Sequence, residues 1–161
     1  MSADDLHTWL YNYDRAEVVL GDFDLGGIDW KTCIASDMNR ASATARHVYG
    51  GEIEYTPLLR EPLLGQFRTG NLHLPAWVWR QVLRVAWLTG HRSQRECRDD
   101  FRRRVLAMAD RLTAEQQDTL VVSHAGMMLY LSRELRRRGF AGPKLRIAQH
   151  AVVYIYDNGK G

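Results

Sequence analysis

Two periods of hydrophobic spacing alternate along this chain, and the switches between them mark its elements. Leu6, Trp9, Leu10 and Tyr13 fall at helical spacing and predict a short amphipathic helix over 3–13. Residues 14–30 are rich in Asp and Gly and read as loop. Thr32-Cys33-Ile34-Ala35 is a short apolar strand that ends at Ser36-Asp37, with Asp37 placed as the N-cap of a helix to about Tyr49, closed by Gly50-Gly51. Ile53 to Tyr55 reads as a second strand and 56–74 as loop. Pro75 suits the first turn of a helix that runs to Leu88 and stops at Gly90. Ser93-Gln94-Arg95-Glu96 has the form of a capping box, opening a helix to about Leu112. Thr119 to Ser123 is a strand, Met127 to Arg138 a helix closed by Gly139, and Ala151 to Tyr156 a last strand. Strands alternating with helices imply crossovers. The expected fold is α/β: three α/β/α layers around a mostly parallel sheet.

Composition narrows this picture. The 161 residues, 45% of them apolar, suit one domain spanning 1–161, without repeats or a low-complexity linker. The net charge is only +3. The triplets Arg102-Arg103-Arg104 and Arg136-Arg137-Arg138 lie in helical patterns where consecutive residues diverge, and no aromatic residues interleave with them. They are expected to be solvated helix faces, and nucleic acid is not an expected partner. Cys33 and Cys97 form neither a disulfide framework nor a zinc pattern, so no metal or cofactor is expected. The polar, acidic N-terminus is unlike a signal peptide, and the most apolar window, 74–88, contains Arg80, Gln81 and Arg84 and is too short to span a bilayer. The expectation is a cytoplasmic protein without a membrane partner.

Chemistry is expected where ligands of parallel sheets bind, beyond the carboxyl ends of the strands. Two polar stretches fall there. In Ser36-Asp37-Met38-Asn39-Arg40 the arginine sits in the first helical turn and can reach over the strand ends. In Ser123-His124-Ala125-Gly126 a histidine tops a strand, and the Ala125 and Gly126 N–H groups open a helix, a favourable place for an anion. Glu61, in Leu58-Leu59-Arg60-Glu61-Pro62, has the apolar flank of a proton donor. Each piece has an ordinary alternative: Arg40 paired on the surface with Asp37, Glu61 as a loop carboxylate, and His124 as a core or capping histidine.

In this order, Ala35-Ser36-Asp37-Met38-Asn39-Arg40-Ala41 with Thr44-Ala45, Leu59-Arg60-Glu61, and Val121-Val122-Ser123-His124-Ala125-Gly126 resemble the histidine phosphatase superfamily, the phosphoglycerate-mutase-like enzymes. The resemblance runs from about Leu6 to Tyr156. It implies a phosphomonoesterase working through a phosphohistidine without metal, its partner a small phosphorylated substrate or phosphate. Arg40 would clamp phosphoryl oxygens, protonated His124 would neutralise developing charge, and Ala125 would help bind phosphate. Glu61 would protonate the leaving oxygen and then activate water. The segment from Pro62 to Phe101 would form a cap, in which Trp77, Trp79 and Trp87 are expected to pack between helices. Arg68, His73 and Arg92 are weaker candidates for a second anion site.

The departure from the family is equally specific. The superfamily's Arg-His-Gly tripeptide, which supplies the nucleophile at the end of the first strand, does not occur in the chain. His7 lies in the amphipathic helix, and His47, His73, His91 and His150 have no suitable motif. The resembled fold therefore lacks its first strand here. We expect Met1 to be an internal methionine of a longer enzyme, this chain alone to be nearly inactive, and an exposed sheet edge to favour self-association. The alternative is a non-catalytic phosphate-binding or partner-binding protein on a degenerate phosphatase fold.

Overall fold

A computed structural model describes residues 20–62 and 72–159, together with Ser2, Asp5, Thr8 and Asn12. The expected helix over 3–13, His7 and Arg68 fall largely or wholly outside the described residues. Two compact units are present. One comprises Glu17–Glu61 with Arg103–Gly161, and the other Met1–Ala16 with Pro62–Arg102.

The first unit is built on three parallel strands, β1 (Thr32–Ser36), β2 (Ile53–Thr56) and β3 (Thr119–Val122), in the order β2-β1-β3. The central position of β1 explains its composition. Cys33 to Ser36 are buried on both faces of the sheet, whereas β2, at an edge, exposes Glu54 and Tyr55. Register places Ala35 opposite Tyr55 on one side and Val122 on the other, so the strands end together at one edge of the sheet. Helix α1 (Asn39–Val48) packs across all three strands, and its Ala45 joins Cys33, Ala35 and Leu120 in one core cluster. The Thr32 and Thr119 hydroxyls, 2.7 Å apart, tie the opposite ends of β1 and β3.

The second unit holds helix α2 (Ala76–Thr89) and the first part of helix α3 (Arg92–Ala114). Pro75 and Gly90 punctuate α2 as expected, Gly90 taking the left-handed φ of 67° that a residue with a side chain resists. Trp79 and Trp87 are buried, Trp87 edge-on to Phe101, so two of the three tryptophans pack as expected, while Trp77 is 67% exposed. Helix α4 (Ala125–Arg137) follows β3 in the first unit.

Several expected boundaries differ, each for a local reason. Met38, in extended conformation, occupies the N-cap of α1 without a side-chain cap, because Asp37 is drawn away to Arg60. Helix α3 starts one residue before Ser93. The ring of His91 accepts the Ser93 N–H at 3.3 Å and lies 2.9 Å from its hydroxyl, so this imidazole replaces the expected capping box. The expected last strand, 151–156, is not one. Ala151 adopts a φ of 59°, and among the described residues the ladder contact nearby is an isolated Ala141–Asp157 bridge. Tyr156 is instead held by Ser132 Oγ at 2.8 Å and the Pro143 carbonyl at 2.9 Å. Among the described residues β3 pairs with β1 alone, and 151–156 does not pair with its outer edge.

The arginine triplets are not wholly solvated either. Arg104 donates to the Arg60 carbonyl at 2.8 Å, and Arg138 is held by Glu134 and Asp110. Cys33 and Cys97 are free. Among the described residues no helix is long and apolar enough to cross a membrane, and no cluster of His, Cys, Asp and Glu is placed to hold a metal ion.

Candidate functional site

The carboxyl ends of β1 and β3 converge on His124, the N-cap residue of α4. Its extended backbone (φ −109°) ends the strand run, and its carbonyl accepts the Met128 N–H at 2.9 Å, closing the first helical turn. The imidazole turns inward, its side chain 13% exposed. Nε2 lies 3.0 Å from the hydroxyl of Ser36, the last residue of β1, and Nδ1 lies 4.0 Å from Glu61 Oε2.

Glu61 reaches the site through a short 3₁₀ turn, Pro57–Leu59, that β2 delivers to the same end of the sheet. Leu59 is fully buried, and its carbonyl accepts the Ser123 hydroxyl at 2.7 Å. Arg60 makes a two-pronged pair with Asp37 at 2.7 and 2.6 Å, while Arg104 holds its carbonyl. Clamped on both sides, the segment places Glu61 Oε1 3.1 Å from the Gly126 N–H. The first N–H groups of a helix lack intrahelical partners and carry its positive dipole end. A carboxylate therefore occupies the place proposed from sequence for an anion, with Ala125 as the first residue of the same turn.

Arg40, in the first turn of α1, lies close enough for its charge to act on His124. Burial is the main cause of a His124 pKa lowered to about 4, and Arg40 adds to it, while Asp37 opposes. The imidazole is consequently neutral at pH 7. In the free site Arg40 brings the positive charge, and the histidine offers a hydrogen bond.

Arg40, Glu61, His124 and Ala125 are thus brought to one end of one sheet, within one compact unit. Asp37, the expected surface partner of Arg40, is engaged by Arg60. Two of the histidines without a suitable motif have other contacts. His47 Nε2 meets the Gly21 carbonyl at 3.0 Å, and His91 caps α3. Sequence reading missed the supports: Ser36 beneath His124, Ser123 under Leu59, and the Arg60–Asp37 and Arg104 ties. Their only signal was position, two serines and an aspartate at the ends of adjacent strands.

Fold and site together define an α/β protein that gathers a histidine, a glutamate and an arginine at the carboxyl ends of parallel strands. The family model for the histidine phosphatase superfamily (branch 1) matches residues 19–160, and the chain belongs to that superfamily. No curated protein matches the chain. Among solved structures it is similar to an Escherichia coli K-12 protein provisionally assigned as an alpha-ribazole-5'-P phosphatase, at 24% identity and a TM-score of 0.49. That similarity covers 83% of this chain, which spans 62% of the other.

Proposed function

We propose that this chain binds the phosphoryl group of small phosphomonoesters at the ends of β1 and β3. In that role it supplies the arginine, the acid and the second histidine of phosphomonoester hydrolysis. The observation that carries the reading is the Glu61 carboxylate on the Gly126 N–H beside His124, an internal anion where a phosphate oxygen would sit. An entering phosphate displaces it, meets the Arg40 guanidinium and the His124 N–H, and leaves Glu61 beside the ester oxygen. Once a nucleophilic histidine is supplied, it forms the N–P bond as the P–O ester bond breaks, and protonated Glu61 gives its proton to the leaving alcohol. In the second half the Glu61 carboxylate takes a proton from water, whose oxygen bonds to phosphorus as the N–P bond breaks, releasing phosphate and the free histidine.

None of the six histidines stands in an Arg-His-Gly tripeptide, so the 161 residues supply no recognisable nucleophile. Loss of a catalytic nucleophile costs on the order of 10⁶ in rate in a well-studied protease. The chain as it stands is therefore expected to bind phosphate with turnover near background, which also suits the second reading, a phosphate-binding protein without catalysis.

Calorimetry with inorganic phosphate tests the site, and turnover of an aryl phosphate tests the chemistry. Phosphate should bind the native chain and bind Arg40→Ala at least about tenfold more weakly. A chain extended by a strand ending in Arg-His-Gly should turn over aryl phosphate and lose that activity on Glu61→Gln or His124→Ala. Binding without rescued turnover would favour the non-catalytic reading, and absence of phosphate binding would overturn both.

A further inference from the structure

The hydroxyl of Ser36 has no role in the reading above, yet its surroundings decide where the proton of His124 resides. Ser36 is 0% exposed, so its O–H has no bulk water to fall back on. Its oxygen accepts the Met38 N–H at 3.3 Å. Among the described residues, the acceptor within reach of its proton is His124 Nε2, at 3.0 Å. A hydrogen on Nε2 would face the hydroxyl with two donors and one remaining lone pair. Ser36 would have to accept both neighbours and leave its own buried proton unmatched, at the full desolvation cost of that group.

We propose that Ser36 is a positioning residue that fixes the tautomer of His124: its hydroxyl donates to Nε2, so the neutral imidazole carries its proton on Nδ1, the nitrogen facing Glu61 and the N-terminus of α4. The proton offered to a ligand is then always on the side where the anion binds. No tautomeric search precedes binding.

The same hydroxyl opposes a second proton. Protonating Nε2 reverses the Ser36 bond and orphans its hydrogen, so Ser36 acts in the same direction as burial and Arg40. Asp37 and Glu61 bear on the ring from the end of β1 and from the loop after the 3₁₀ turn, and Asp37 acts in the opposite direction. Ser36 itself is too enclosed to be a nucleophile, despite a serine–histidine–glutamate sequence of contacts that resembles a hydrolase triad.

Long-range ¹H–¹⁵N correlation spectra of the imidazoles in the uniformly labelled full chain test this directly, the His124 signals being assigned by their absence from His124→Gln. The readout is independent of phosphate binding, so the result stands or falls apart from the proposed function. The native chain at pH 7 should show the Nδ1–H form. Ser36→Ala should populate the Nε2–H form and raise the His124 midpoint by about one pH unit, a roughly tenfold change in protonated fraction. Ser36→Thr, which keeps the hydroxyl, should restore both. An Nε2–H tautomer in the native chain would overturn the proposal. So would a Ser36→Ala spectrum with tautomer and midpoint unchanged, or covalent labelling of Ser36 by a fluorophosphonate. If Ser36→Ala fails to fold, the native and Ser36→Thr spectra decide the question alone.

Discussion

Helix α4 carries a polar cluster at each end, and the two are organised on opposite principles. At its C-terminal end Glu134 is held by Arg137 at 2.9 and 2.7 Å and by Arg138 at 2.8 Å, and Arg138 reaches Asp110 at 2.6 Å. These hydrogen bonds hold the Glu134 carboxyl down at about 2, those to Arg137 and Arg138 outweighing burial. Each of these four charges meets its opposite, and the arginines suit the negative end of the helix dipole. At the N-terminal end the buried histidine is kept neutral, a glutamate rests on a backbone N–H, and Arg40 brings a positive charge toward both. A cluster whose charges are matched stabilises the fold. One that keeps an arginine, a donor and a displaceable carboxylate together is poised to exchange a ligand.

Acid titration separates the two ends most widely. His124 titrates at about 4 in the folded chain against an ordinary 6.5, so between these values the unfolded chain binds the proton more readily. Stability is complete above pH 6.5 and falls as pH drops toward 4, by ~3 kcal/mol in all, and His124→Gln should flatten that part of a denaturant-midpoint profile. Glu134, lowered from 4.5 to about 2, acts in the same direction but in a lower window: its stabilisation is present above pH 4.5 and lost as pH falls toward 2. Glu134→Gln should flatten only the lower window.

Binding sharpens the contrast next. Arg40→Ala should weaken phosphate by roughly tenfold to 100-fold in calorimetry, since a charge-assisted pair is worth ~1.5–3 kcal/mol. Arg137→Ala should lower the unfolding midpoint slightly and leave phosphate affinity unchanged. Glu134→Gln should cost ~2 kcal/mol of stability in urea unfolding with no change in phosphate affinity. Glu61→Gln, which keeps an oxygen for the Gly126 N–H but removes the competing charge, should tighten phosphate by roughly threefold to tenfold. The smallest effect is expected for Arg60→Ala. Its pair with Asp37 is half exposed on the arginine side, so about 0.5–1 kcal/mol is at stake.

What could be read from the sequence, and what could not, follows the range of the interactions. Strands β1 and β3, the helices after them and the stops at Gly90 and Gly139 are written in local spacing and punctuation. Arg40, Glu61 and His124 were readable because strand ends and helix starts are marked by short motifs. The lowered pKa of His124 in the free site was not, because burial and the Arg40 field come from tertiary packing. Nor was the diversion of Asp37 from capping α1 to holding Arg60, a choice between two sound local chemistries settled by a residue 23 positions away. The strand expected over 151–156 failed for a related reason: a strand needs a neighbour, and no pattern within six residues reveals whether one is there.

The separations along the chain carry a consequence for how the site comes into being. Asp37 and Arg60 are 23 residues apart, and with β1, α1 and β2 they belong to one contiguous stretch that can order early. Ser36 and His124 are 88 residues apart, and Glu61 and Gly126 are 65 apart. Closing those loops sacrifices chain entropy before the contacts repay it. The Asp37–Arg60 pair and the segment that carries Glu61 are thus expected to order in a fast local step, and His124 with β3 in a slower one. Amide exchange should report this as two phases, with the Gly126 N–H protected only in the later one.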